Sequence, residues 1–195
     1  MQYLFFSFLI ICIFIFSSCY TSKMYSRASF PHHTDTSFVY RLPVLNKNKV
    51  YVSQGYYGVF SHRRIFALDF RLKMNTPVCA ARSGIVVGTE WKHNRGGATR
   101  KWIDKANYVE IKHDDGTWAS YWHLQYNGVI VKNGDRVEVG QLIGYSGNTG
   151  FSTMPHLHFE LWGIDEMGYK TFPSFFYVSG KRRILQGGRS YRIIP

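Results

Sequence analysis

Apolar and polar positions divide this chain into stretches of different character. Residues 4–16 are an almost unbroken apolar run, interrupted only by Ser7. At about 13 residues it is too short to span a bilayer comfortably and matches a signal-peptide core. Residues 20–45 mix Ser, Thr, Tyr, His and Pro without a period, which predicts a linker or loosely packed arm. From Val50 onward, apolar runs and two-residue alternation are punctuated by turns. Gly84-Ile85-Val86-Val87-Gly88 is a short apolar strand, and Tyr108-Val109-Glu110-Ile111-Lys112 alternates. Asp114-Asp115-Gly116 is a turn, with Thr117 to His123 as the return strand, so this region predicts a hairpin. Asn133-Gly134 and Gly147-Asn148-Thr149-Gly150 mark further turns, and His156 to Trp162 reads as another strand. No segment keeps helical periodicity over three turns. The pattern predicts an all-β, antiparallel architecture. The expected organisation is a signal segment over 1–18, a linker over 19–45, a folded domain over 46–165 and a basic extension over 166–195.

Composition supports one folded domain. A chain of 195 residues with 45% apolar side chains can bury a real core. Aromatics at 17% favour strands and aromatic-lined grooves. The small residues after the apolar run, Phe16-Ser17-Ser18-Cys19, resemble a lipobox, in which Cys19 is acylated and becomes the mature N-terminus. An ordinary cleaved signal and an uncleaved anchor are the alternatives. Cys12 lies inside this segment, so Cys79 is the remaining thiol and no internal disulfide framework can form. Its Pro77-Val78-Cys79-Ala80-Ala81 surroundings predict a small buried hydrophobe.

The formal net charge is +12, and no charged side chain precedes Lys23. A basic exported protein meets anionic envelope polymers and head groups. No nucleic-acid motif is present. Residues 92–107 form a long polar stretch with Lys92, Arg95, Arg100, Lys101 and Lys105, either a groove wall or a solvated insertion. The tail has Lys181, Arg182, Arg183, Arg189 and Arg192, suited to an anionic surface or to solvent.

Three places can carry chemistry. On a strand, His156, His158 and Glu160 share one face, and Leu157, Phe159 and Leu161 share the other. Polar titratable groups on one face of an otherwise apolar strand are costly unless they serve a site. Asp69 sits between Leu68 and Phe70, where a buried carboxylate needs a partner, and a metal is a good one. His62 precedes it by an odd spacing, so a turn through Arg63-Arg64-Ile65 must intervene if both are to face one ion. His123 ends the return strand within Tyr121-Trp122-His123-Leu124. His93 and His113 read as solvated, as do His32 and His33.

Together these blocks resemble the lysostaphin/LytM-type peptidoglycan endopeptidases. The resemblance runs from about Val52 to Trp162. It includes His62 with Ala67-Leu68-Asp69-Phe70, then Thr76-Pro77-Val78-Cys79-Ala80-Ala81-Arg82-Ser83-Gly84. It continues through Asn107-Tyr108-Val109-Glu110-Ile111, Tyr121-Trp122-His123-Leu124 and the Asn133 to Gly144 block. It closes with Gly147-Asn148-Thr149-Gly150 and Pro155-His156-Leu157-His158-Phe159-Glu160-Leu161. The His62-to-Asp69 spacing is longer than the H-x-x-x-D of many members. The resemblance implies an all-β antiparallel sheet or sandwich with a zinc site in a groove between long loops. It implies His62, Asp69 and His158 as ligands of one zinc ion and His123 and His156 as catalytic histidines. Three ligands of N, N and O type leave zinc's fourth tetrahedral position open. Glu160 is either a support for a ligand imidazole or a charged residue leaving the strand. The implied substrates are peptidoglycan peptides, with cross-link cleavage of D,D type. The implied location is the cell envelope, facing the periplasm if Cys19 carries a lipid anchor. A non-catalytic peptidoglycan-binding activator of other wall hydrolases is the rival within the family. A cupin-type metal enzyme and a purely structural binder of anionic surfaces are rivals outside it.

Overall fold

The computed structural model describes residues 38–45, 48–165 and 168–193. These all belong to the unit His33–Pro195. The apolar segment 4–16, Cys19, His32 and His33 lie outside the described residues. The strands are β1 (Val39–Tyr40), β2 (Lys49–Gln54), β3 (Ala67–Arg71), β4 (Pro77–Cys79), β5 (Gly84–Glu90) and β6 (Gly96–Gly97). After a 3-10 turn at Arg100–Lys105 come β7 (Asn107–Lys112), β8 (Trp118–Val129), β9 (Arg136–Val137), β10 (Leu142–Ser146) and β11 (Gly150–Phe151). The chain continues through β12 (His156–Asp165), β13 (Gly168–Phe172), β14 (Phe175–Val178), β15 (Lys181–Arg183) and β16 (Arg189–Arg192).

The main sheet has 11 strands, with the path β16-β2-β3-β12-β8-β7-β5-β9 and β4, β10 and β13 joined at its side. Its pairings are antiparallel throughout. A small sheet, β1-β14-β15, and the two-stranded β6-β11 pair complete the fold, each with one parallel pairing. The core follows from the alternation read in the sequence. Leu68 and Phe70 of β3, Leu157, Phe159 and Leu161 of β12, and Tyr121 of β8 are buried on one face. Phe176 of β14 caps that face, 5.9 Å from the Phe159 ring and 6.2 Å from Phe70. Edge-to-face aromatic contacts of this kind fill volume and add a further increment beyond area burial.

Several expectations need correction. The linker ends before residue 45: Val39 and Tyr40 pair with β14, and Tyr40, Leu42 and Val44 are buried. The basic extension is woven into the fold: β13 makes a hairpin with β12, and β16 forms the sheet edge against β2. A positively charged segment can do this because β16 is an edge strand with exposed residues on both faces, so Arg189 and Arg192 stay in solvent while the backbone pairs. The return strand of the hairpin runs beyond His123 to Val129. His113 is buried at 2% exposure rather than solvated, its Nδ1–H donating to the Ser83 carbonyl at 2.9 Å. Cys79 is buried as expected.

Candidate metal centre and cavity

The site lies on the open face of the three central strands. His158 pairs in register with Asp69 of β3 on one side and Trp122 of β8 on the other. Antiparallel register therefore brings Asp69 and His158 face to face, far apart in sequence but adjacent across the ladder. His62 arrives by the turn its spacing demanded: Ile65 N–H donates to the His62 carbonyl, and Arg64 takes a positive φ of 64°. The Nδ1–H of His62 donates to the Gly55 carbonyl at 3.0 Å, which directs Nε2 into the site as a lone-pair donor.

Three donor atoms then converge. His62 Nε2 lies 3.1 Å from Asp69 Oδ1, and His158 Nδ1 lies 3.0 Å from the same oxygen. The two nitrogens are 3.1 Å apart. Ligands about 2.0–2.1 Å from a tetrahedral ion sit about 3.3 Å from one another, so this spacing fits zinc closely. Among the described residues these three form the group able to hold a metal. Burial works against charge on His158, yet Asp69 and Glu160 outweigh it and lift its pKa to about 10. Burial would also raise Asp69, but the His158 and His62 imidazoles packed against it hold it well below the usual carboxylate range. The anionic carboxylate and the cation-attracting field are what a dication needs.

His123 and His156 stand beside the triad with a shared orientation. The Nδ1–H of His123 donates to the Thr149 carbonyl at 2.7 Å, and that of His156 donates to the Met154 carbonyl at 2.8 Å. Both rings therefore keep Nε2 unprotonated, and His156 Nε2 is 3.7 Å from Asp69 Oδ1. The two rings are 4.6 Å apart. Burial pushes the His123 pKa down to about 3, helped by His156 and His158. Burial likewise lowers His156. His123 has φ 66° at a register irregularity between β7 and β8, where Leu124 pairs with Asn107 and Trp122 with Tyr108. It is the extra residue of a bulge, and the bulge aims its ring out of the ladder.

Several supports were not legible in the sequence. Gln54 donates to Asp69 Oδ2 at 2.9 Å and accepts from the Phe60 and Ser61 amides, tying the loop that carries His62 to the carboxylate. Ser152 Oγ lies 3.2 Å from His156 Nδ1. Buried Asn107 donates to the His93, Leu124 and Gln125 carbonyls and accepts from the His93 amide. His93 is thereby anchored through its backbone and partly buried, not solvated. Glu160 Oε2 lies 3.6 Å from His158 Nε2, and its other oxygen accepts from Tyr169 at 2.8 Å. That places it behind a candidate ligand, the first of its two readings.

A cavity of about 610 Å³ opens over these groups. Asp69, His123, His156, His158 and Glu160 line it, with Ala98, Ile103 and Ala106 along one wall. Residues 92–107 are therefore a groove wall. The wall is held against the 147–151 turn by the β6-β11 pairing, and the approach leaves no room for a Cβ at Gly96 or Gly150.

Comparison with known proteins places the domain in a family. Residues 63–169 match Peptidase family M23. The glycyl-glycine endopeptidase ALE-1 of Staphylococcus capitis is 38% identical over 95 residues, covering 49% of this chain and 24% of the relative. The peptidoglycan DD-endopeptidase ShyA of Vibrio cholerae is 42% identical over 93 residues, covering 48% and 19%. The matched part is thus no more than about a quarter of these relatives' length. In structure, a chain of the SpoIIQ–SpoIIIAH pore-forming complex shares the fold, with a TM-score of 0.51 at 24% identity, covering 68% of this chain and 87% of that one. The family match and the fold thus define a metallopeptidase-type domain. The chain belongs to peptidase family M23.

Proposed function

We propose that this protein is a zinc-dependent endopeptidase that hydrolyses peptide cross-links of bacterial peptidoglycan, with D,D specificity. The observation that carries the reading is the convergence of His62 Nε2, Asp69 Oδ1 and His158 Nδ1 beneath two histidines that both present a bare Nε2. The activities named for ALE-1 and ShyA support the substrate class. The presence of all five residues favours catalysis over the non-catalytic activator.

His62, Asp69 and His158 would hold the zinc ion, which supplies a Lewis acid for the scissile carbonyl and acidifies water towards a pKa of about 7. The remaining chemistry belongs to the chain. His123 and His156 are neutral at pH 7 because burial disfavours their charged forms. A neutral Nε2 takes a proton from the attacking water as the oxygen adds to the carbonyl carbon. Once protonated, the ring keeps its Nδ1–H on the Thr149 or Met154 carbonyl. Its new Nε2–H stabilises the oxyanion or passes to the departing amine as the C–N bond breaks. Gln54 and Glu160 keep Asp69 and His158 oriented.

Digestion of purified peptidoglycan with the zinc-loaded protein tests this. The expected result, read by mass spectrometry, is loss of cross-linked dimers and gain of their monomer halves. An unchanged profile would remove the proposal. Export rests on residues 4–16 and Cys19. If Cys19 is acylated, Cys19→Ala releases or mislocalises the protein, and normal maturation with membrane retention would argue against the anchor. Among the described residues no helix is long and apolar enough to cross a membrane.

A further inference from the structure

The loops around the cavity are rich in cations and nearly free of acids. Residues 55–66 carry Arg63 and Arg64 and no acid, and residues 147–155 carry no charge. Residues 91–106 carry Lys92, Arg95, Arg100, Lys101 and Lys105 against Asp104 alone. All seven cations are exposed, and among the described residues Lys92 is the one that forms an ion pair, with Glu90. Acids gather elsewhere. Asp114 and Asp115 occupy the β7-β8 turn, at the opposite end of that hairpin from His123, roughly 15–20 Å away at the rise of a strand. Asp135 and Glu138 flank β9, which pairs with the start of β5 at that same far end. Inside the cavity Asp69 and Glu160 are engaged by histidine and tyrosine.

Residues 91–106 are a fixed wall of the cavity, which they line through Ala98, Ile103 and Ala106, and the exposed cations of the segment stand outside that lining as a rim. Asn107 pins both ends of the wall to β8 and His93, and β6 pairs it to β11. The Trp102 ring sits against Gly97, with the Lys101 and Lys105 ammonium groups 5.3 and 5.5 Å from its centroid. Cation–π contact of this kind orients both charges before anything binds. Ile103, in the same turn, lines the cavity itself.

We propose that this rim, centred on Arg100, Lys101 and Lys105, is a subsite for free carboxylates of the substrate. The enzyme then takes anionic wall peptides whose carboxylates flank the cut, in preference to neutral glycine bridges or amidated stems. The inference rests on the endopeptidase reading for its substrate class. An anionic membrane is the other partner that exposed cations can meet, but a wall stapled at both ends beside the reacting groups fits a substrate better than a surface.

The test uses two synthetic cross-linked wall peptides, identical except that one has free carboxylates and the other carboxamides. Turnover by the zinc-loaded full chain and equilibrium binding of each peptide are both measured. The expected result is a preference of about tenfold for the free acid, expressed in KM and in binding, and fading between 0.05 and 0.5 M salt as screening shortens the Debye length from about 14 to about 4 Å. In the R100Q/K101Q/K105Q variant the acid-to-amide ratio should fall towards one. The ratio is internal to each sample, so a partly unfolded variant cannot mimic the effect. Equal handling of the two peptides by wild type, or an unchanged ratio in the variant, overturns the proposal. Equal handling together with loss of binding to phosphatidylglycerol vesicles in the variant assigns the rim to a membrane instead. Tighter binding of the acid with no cleavage of either peptide upholds the subsite and removes the endopeptidase reading.

Discussion

His123 donates its Nδ1 proton to the Thr149 carbonyl at 2.7 Å while its backbone stands in the left-handed region at φ 66°. A non-glycine residue there costs about 1–2 kcal/mol. The two features belong together, because the bulge that strains the backbone is what turns the ring towards the cavity. His123→Ala and His123→Gly should therefore both lose two to four orders of magnitude in rate, with zinc retained. His123→Gly should be more stable than His123→Ala by about 1 kcal/mol, since glycine accepts the left-handed conformation freely. Denaturant melts of the two variants check this, and equal midpoints would argue against strain at the bulge.

Gln54 links Asp69 to the loop that delivers His62. Gln54→Ala removes the donor to Asp69 Oδ2 and frees the Phe60 and Ser61 amides. Zinc affinity should fall about 10- to 100-fold, the usual effect of removing a support behind a ligand. Competition against a chelator of known affinity measures it. Unchanged affinity would show that Asp69 is held by its strand alone.

The sheet was legible in the sequence because it rests on local periodicity, whereas His62, Asp69, His158, His123 and His156 became candidates through the resemblance of several ordered blocks to one family. Alternation over His156 to Leu161 set the faces of β12, and the apolar flanks of Asp69 marked it as buried. Gln54, Asn107, Thr149 and Ser152 were not legible, since their roles come from register and turn geometry between segments far apart in sequence. His113 was misread for a related reason: its neighbours Asp114 and Asp115 mark a turn, but Tyr40 and Ser83 arrive from elsewhere to cover the ring. The basic tail was misread as an extension because charge on one face of an edge strand says nothing about whether its backbone is paired.

His113 should govern part of the acid stability. Burial lowers its pKa to about 4; Arg82 adds to the lowering, while the Ser83 hydrogen bond and Asp115 and Asp114 oppose it. The unfolded value is about 6.5, so between these pH values the unfolded chain binds the extra proton. The contribution of His113 is therefore complete above about pH 6.5 and is lost as pH falls towards 4, up to about 3 kcal/mol in all. In His113→Asn, which can still donate to the Ser83 carbonyl, the stability profile over this window should be flatter than in wild type. Parallel profiles from urea melts would show that His113 does not titrate there.

The central claim is that His156 and His158, two residues apart on one face of β12, hold different offices. His158 directs Nδ1 at the converging donor set, and His156 holds Nδ1 on a carbonyl and offers Nε2 alone. His158→Ala should lose both zinc and activity. The decisive measurement is zinc content and endopeptidase rate on one purified sample of His156→Ala. The account predicts about one equivalent of zinc and a rate lower by two to four orders of magnitude. Loss of zinc along with activity in that sample would make His156 a ligand and contradict the assignment.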